Sequence, residues 1–144
     1  GGDVWEENLI KTRGHRAFAG LSLGSMTTYR AGIYNNFDLF SWYGTFSGCC
    51  GPNGDREAEV ERMKRALADA SERGLALDYL FCFNGDKDVA YAEHLAVMEK
   101  VEKLCPQLVR GENYDFFTIP GAVHDMKAWQ LHLYHALQIF FVKK

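Results

Sequence analysis

Residues 16–25 read Arg16-Ala17-Phe18-Ala19-Gly20-Leu21-Ser22-Leu23-Gly24-Ser25, and the fold turns on them. Arg16 to Leu21 has the composition of a short buried strand, and Ser25 to about Tyr34 has helical character. Between the two lies Gly20-x-Ser22-x-Gly24. This spacing at a strand-to-helix junction is the nucleophile-elbow pattern. Side chains flanking so tight a turn would collide, which calls for glycine on either side. Ser22 then stands at the apex with its hydroxyl exposed. The backbone N–H of Leu23, at the helix start, is placed to donate to a developing oxyanion. Chance alone gives the pattern in about one chain in twenty of this size, so the strand–turn–helix context carries the weight. The competing reading is a tight turn with a helix-capping serine.

The same rhythm continues outward. Asn35-Asn36 ends the first helix. Phe37 to Phe46 is aromatic-rich and strand-like, and Ser47 to Asp55 is a glycine-rich loop. Arg56 to Arg73 is the strongest helix, with Val60, Met63, Leu67 and Ala70 at helical spacing and Gly74 as its stop. Leu75 to Phe83 reads as a second buried strand, ending at Asn84-Gly85-Asp86. Val89 to Leu104 is an amphipathic helix closed by Pro106. Tyr114 to Ile119 is a strand, and Lys127 to Val142 a final helix. Four β-then-α units imply a parallel sheet covered by helices on both faces. Reactive residues in such sheets gather in the loops after the strands.

Composition narrows the function classes. The 144 residues are 47% hydrophobic and 24% charged, the balance of a globular domain. No apolar run approaches the roughly 18 residues of a membrane-spanning helix. With 16 basic and 19 acidic residues the net charge is −3, without the basic stripe of a nucleic-acid binder. Aromatic residues reach 14%, which favours a thick core or an aromatic cleft. Cys49, Cys50, Cys82 and Cys105 form no C-x-x-C pair, and Cys82 reads as a small buried hydrophobe. The chain opens Gly1-Gly2 without Met, and no signal peptide is visible.

A serine nucleophile needs a base. Five histidines are available. His15 precedes the elbow strand. His94, His132 and His135 fall in helices and read as exposed or surface-packed. His132 and His135 are three apart, a spacing that suits a metal, but no carboxylate or third ligand stands near them in sequence. His124 lies in the loop after the last strand, where an imidazole can reach across the sheet end. It is the candidate base. Asp86 and Asp88 share the loop after the Leu75–Phe83 strand as candidate orienting acids, and position alone does not separate them. Both also read as turn formers. The resulting order is Ser, Asp, His.

With these residues in place, His15 to Val142 resembles the C-terminal half of an esterase-D-type α/β-hydrolase, most closely the feruloyl esterases of carbohydrate esterase family 1. The stretches HRAFAGLSLGSMTTYRAGIYNNFDLFSWYGTFSG, LFCFNGDKDVAYAEHLAVMEKV and IPGAVHDMKAWQLHLYHALQIFF carry the likeness. It implies a nucleophile at Ser22, a base at His124 and, through Gly85-Asp86-Lys87-Asp88, the acid at Asp88. Trp129, five beyond His124, matches the family's tryptophan and is expected beside the site. Departures are Ser25, where the family has a second glycine, and Gly121-Ala122-Val123-His124 in place of a glycine run. The family also has several strands before the elbow, one of whose loops supplies the second oxyanion donor, and residues 1–14 cannot hold them. The expectation is therefore one partial catalytic domain over 1–144, with its N-terminal strands missing.

The resemblance further implies a secreted enzyme without metal or organic cofactor. Its substrate would be a feruloyl or acetyl ester on plant-wall arabinoxylan. Its partners would be the missing half or attached xylanase and carbohydrate-binding modules, with no nucleic acid and no membrane. Trp42, Tyr43, Phe46 and Trp129 are candidates to stack on a phenolic acid or sugar, half or more of them being core on the plainer reading. Acetyl-xylan esterases, S-formylglutathione hydrolases, siderophore esterases and mycolyltransferases share the pattern. A non-catalytic sugar-binding module and a flavodoxin-like binding domain are the readings from other classes. The latter explains the βα rhythm but not the ordered Ser, Asp and His.

Overall fold

Every residue of the strand Tyr79–Gly85 is buried, so the sheet is built around it. The structure is a computed structural model and describes residues 11–49 and 54–142. Cys50, residues 51–53 of the expected glycine-rich loop, and the Gly1-Gly2 start lie outside the described residues. The strands are β1 (Ala17–Leu21), β2 (Trp42–Phe46), β3 (Tyr79–Gly85) and β4 (Tyr114–Ile119). They form one sheet in the order β1-β2-β3-β4, and every neighbouring pair is parallel. The parallel sheet expected from four βα units is thus what the chain forms.

Alternation along the strands divides the core in two. Tyr43, Leu80, Cys82 and Tyr114 pack on one side with Tyr29, Ile33, Val60, Met63, Val97 and Val101. Those partners come from three helical segments: α1 (Leu23–Thr27) running on into a π-helical stretch (Thr28–Ile33), α2 (Arg56–Glu72) and α3 (Tyr91–Leu104). Phe46, Tyr79, Phe81 and Phe83 face the other side, against Ala136 and Phe140. That side belongs to α4 (Met126–Ile139) and the residue that follows it. Asp55 caps α2 by accepting the Ala58 N–H, and Asp125 caps α4 by accepting the Ala128 N–H.

Two strands are shorter than the aromatic runs suggest. Residues 37–41 form turns, and 75–78 are irregular. The Ser41 carbonyl accepts the N–H groups of both Asp78 and Tyr79, and its hydroxyl donates to Asp78. This knot holds the two chains together just below the point where Trp42 and Tyr79 take up register. The first helix begins earlier than expected, at Leu23, and widens at Thr28. The Thr27 and Thr28 hydroxyls there donate to the carbonyls of Leu23 and Gly24.

Buried polar groups on the α1–α3 side are chained together. Tyr29 Oη lies 2.9 Å from His94 Nε2 and 3.2 Å from Thr45 Oγ1. The far ring nitrogen of His94 meets Asn84, and Thr45 donates to Cys82 Sγ at 3.2 Å. His94 is therefore an interior group that ties α3 to the sheet, not the surface histidine its helical position suggests.

Among the described residues β1 is an edge strand. Exposed Leu21 ends it, exposed Leu23 follows the turn, and exposed Met126 and Leu133 line a cavity with Ala19, Gly20 and Leu21. An unpaired edge flanked by apolar surface invites intermolecular pairing. The isolated 144-residue chain is expected to sediment as species heavier than its 16.3 kDa monomer, and Ala19→Lys on β1 to shift it toward the monomer. A monodisperse, cooperatively melting wild-type monomer would contradict this.

Candidate active site

Ser22 bridges β1 and α1 at φ 54°, ψ −117°, a backbone state that a side chain seldom adopts. Its N–H donates to Phe46 O at 2.9 Å, which anchors the turn to β2. The strain has a visible cause at Gly20, where a Cβ would overlap the Gly24 carbonyl. Gly24 differs. A Cβ there would meet open space, so the turn demands glycine on its strand side only. Ser25, where the related pattern has glycine, is fully buried and its hydroxyl donates to Gly48 O. That bond ties the start of α1 to the loop after β2. Leu23 is the first residue of α1, so its N–H has no intrahelical acceptor.

His124 stands in the loop between β4 and α4. Its Nε2 lies 2.9 Å from Ser22 Oγ, and its Nδ1 lies 2.8 Å from Asp88 Oδ1. Residues more than thirty and one hundred positions apart thus meet in one relay. Asp88 Oδ1 also accepts the Ala90 N–H at 2.8 Å. The Asp88 side chain is fully buried, whereas that of His124 keeps 28% exposure. Burial works against the Asp88 charge. Hydrogen bonding from Ser47, the Ala90 N–H and His124 outweighs it and holds the carboxyl below the ordinary carboxylate range. An ionised Asp88 accepts from Nδ1–H, which leaves the Nε2 lone pair for the Ser22 hydroxyl.

The structure separates the two aspartates. Asp86 accepts the Gly121 N–H at 2.7 Å, and the Lys87 N–H donates to Ala122 O at 3.1 Å. Asp86 therefore fastens the histidine loop, while Asp88 faces the imidazole. Gly85 makes this possible, because a Cβ there would overlap the Ala122 carbonyl.

The aromatic candidates fall in different places. Trp129 packs edge-on against His124, with ring centroids 4.9 Å apart at 88°. Its indole N–H donates to Ser47 Oγ at 3.0 Å. A cavity of about 220 Å³ runs from Gly20 and Leu21 past Phe46 to Met126, Trp129 and Leu133. Phe46 lines it from a buried position, while Tyr43 lies in the core on the other side of the sheet. Trp42 is at the opposite end. It opens β2, pairs with Ala17 and Tyr79, donates to Gly14 O and rests against Phe140 and Phe141. The expectation that Trp42 contacts substrate is corrected on this ground: the strand begins at Trp42, so the whole of β2 separates it from the relay.

His132, expected at the surface, is fully buried one turn beyond Trp129. It packs on Phe83 at 4.3 Å and near Phe46, and among the described residues neither ring nitrogen has a hydrogen-bond partner. Ser47 and His132 are the two neighbours of the site that sequence reading missed. A buried position for His132 was legible only in its i+4 spacing from Ala128 and to Ala136 on the inner face of α4.

A Ser–His–Asp relay at the C-terminal ends of parallel strands, on a strained strand–turn–helix serine, defines the class as the α/β-hydrolase fold. No protein-family model matches the chain. Among solved structures, it superposes on the feruloyl esterase module from Clostridium thermocellum, a serine-to-alanine mutant complexed with sinapinate. The TM-score is 0.78 at 26% identity, over 90% of this chain and 46% of that one. S-formylglutathione hydrolase from Staphylococcus aureus superposes with a TM-score of 0.66 at 17% identity, over 96% of this chain and 57% of that one. A ferulic acid esterase gives 0.61 at 20%, over 94% and 56%. The chain resembles feruloyl esterase modules and spans about half their length.

Burial lowers the pKa of His132 to about 4 and that of His94 to about 3, from an ordinary 6.5. Both stay neutral in the native state while the unfolded chain takes up protons below about 6.5. Their effect is therefore a loss of stability as pH falls from 6.5 toward 4 and 3 respectively. His132→Leu is expected to raise the urea midpoint more at pH 5 than at pH 7. An equal change at both pH values would contradict the buried neutral state.

Proposed function

We propose that this chain belongs to a serine carboxylic-ester hydrolase that releases a hydroxycinnamic acid, such as ferulic acid, from plant cell-wall arabinoxylan. The observation that carries the reading is the Ser22–His124–Asp88 relay, with distances of 2.9 and 2.8 Å. His124 Nε2 takes the Ser22 proton as Oγ attacks the ester carbonyl. The Leu23 N–H donates to the tetrahedral oxyanion. Asp88 holds the imidazole tautomer and stabilises the imidazolium. His124 then returns the proton to the leaving sugar hydroxyl, which yields an acyl-enzyme on Ser22. Water, deprotonated by His124, repeats the sequence and frees the acid. The apolar cavity that reaches from Leu21 to Trp129 suits a planar aromatic acyl group, and the sinapinate bound to the related esterase module is of that chemistry.

The neighbours are about twice as long, so a second oxyanion donor and the rest of the acyl pocket fall to the remainder of the protein. Attached xylanase or carbohydrate-binding modules and secretion belong to the same reading. Acetyl-xylan esterase activity is the alternative within the same chemistry.

The test compares methyl ferulate with an acetyl ester as substrates. The ferulate is expected to show the higher kcat/KM. Ser22→Ala is expected to reduce turnover of both by at least about 1,000-fold. A reversed substrate ratio would replace the feruloyl assignment with the acetyl one. Full activity in Ser22→Ala would overturn the hydrolase reading and favour a sugar-binding module.

A further inference from the structure

Ser47 closes β2, and the three-residue relay does not include it. Its backbone is at φ 60°, in the left-handed region that favours glycine over any side chain. A strained serine in front of Gly48 calls for a reason that resides in its hydroxyl. The residue is 1% exposed, and its N–H donates to Phe83 O at 3.0 Å, which fixes it between the tips of β2 and β3. Its Oγ accepts the Trp129 indole N–H at 3.0 Å. Indole nitrogen only donates, so the Ser47 proton is left for a different acceptor.

Asp88 holds an acceptor nearby. Its Oδ1 is occupied by the Ala90 N–H and His124. Its Oδ2 is buried and has no hydrogen-bond partner among the described residues. A Cβ at Gly48, next to Ser47, would stand 3.8 Å from Ala90 Cβ, so the end of β2 runs beside the turn that carries Asp88, and hydrogen bonding from Ser47 favours the ionised carboxylate. A carboxylate held at one oxygen only can rock about its Cβ–Cγ bond and carry the imidazole with it.

We propose that Ser47 is a positioning residue whose O–H donates to Asp88 Oδ2 while its Oγ receives Trp129, so that the acid and the ring beside His124 are held by one group. The chain of contacts then runs Trp129, Ser47, Asp88, His124, Ser22, and returns to Trp129 through its edge-on contact with His124. The proposal rests on the reading of Ser22, His124 and Asp88 as the catalytic relay.

The test uses Ser47→Ala and Ser47→Gly in the full chain. Glycine relieves the left-handed backbone and alanine does not, so the pair separates the hydroxyl from the strain. The first readout is the rate at which a fluorophosphonate modifies Ser22. The second is the proton NMR signal of His124 Nδ1–H together with that of Trp129 Nε1–H. Both variants are expected to slow modification about tenfold, the scale of one hydrogen bond to a charged group, and to move both signals. Ser47→Gly is expected to melt higher than Ser47→Ala and yet react as slowly. A wild-type rate with unmoved signals in Ser47→Gly would overturn the proposal. If wild-type Ser22 is itself unreactive, the hydrolase reading fails. The signals still decide on Ser47: movement in Ser47→Gly supports it and no movement overturns it.

Discussion

The turn after β3 touches the loop after β4 through a glycine, and the geometry of the site depends on that contact. With no side chain at Gly85, the Ala122 carbonyl comes directly onto the backbone. Two bonds then fasten the loop, from Gly121 N–H to Asp86 and from Lys87 N–H to Ala122 O. His124 is thereby carried on a braced segment, and braced segments hold side chains within the few tenths of an ångström that proton transfer needs. Parallel register does the rest, because Leu21, Phe46, Gly85 and Ile119 all end their strands at one side of the sheet. Three sequence-distant groups meet there without any long loop.

The two faces of the sheet solve burial differently. Toward α1, α2 and α3 the interior contains a connected polar chain through Tyr29, His94, Asn84, Thr45 and Cys82. Directional bonds between elements of this kind favour one arrangement of the helices on the sheet. Toward α4 the filling is aromatic, with Phe46, Phe81, Phe83 and Phe140, and His132 sits among those rings without hydrogen bonds. Among the described residues both faces keep buried polar atoms without partners: Asn84 Nδ2 and Tyr114 Oη toward α1, α2 and α3, and both ring nitrogens of His132 toward α4.

The four βα units were legible because each strand is a short run rich in apolar residues with glycine at or just past its end, and because Val60, Met63, Leu67 and Ala70 mark a helical period. Ser22 was legible from the two glycines around it, although only Gly20 is sterically required. The choice between Asp86 and Asp88 was not readable from position. Both sit in one turn, and only the direction of each side chain, set by β3 and the histidine loop, divides their roles. Trp42 misled for a related reason. The aromatic run 37–46 looks like one strand, but the Ser41 knot delays pairing until Trp42, which puts that indole at the wrong end of β2. Ser47 left no mark in the sequence, since its left-handed backbone and its bond from Trp129 arise only when β2, β3 and α4 come together.

The central claim is that Ser22 is an activated nucleophile within this arrangement. Intact-mass spectrometry after exposure to a serine-reactive fluorophosphonate, followed by peptide mapping, tests it most directly. One adduct is expected, located on Ser22 and lost when His124 is replaced by alanine. An unmodified chain, or an adduct located on another serine, would contradict it.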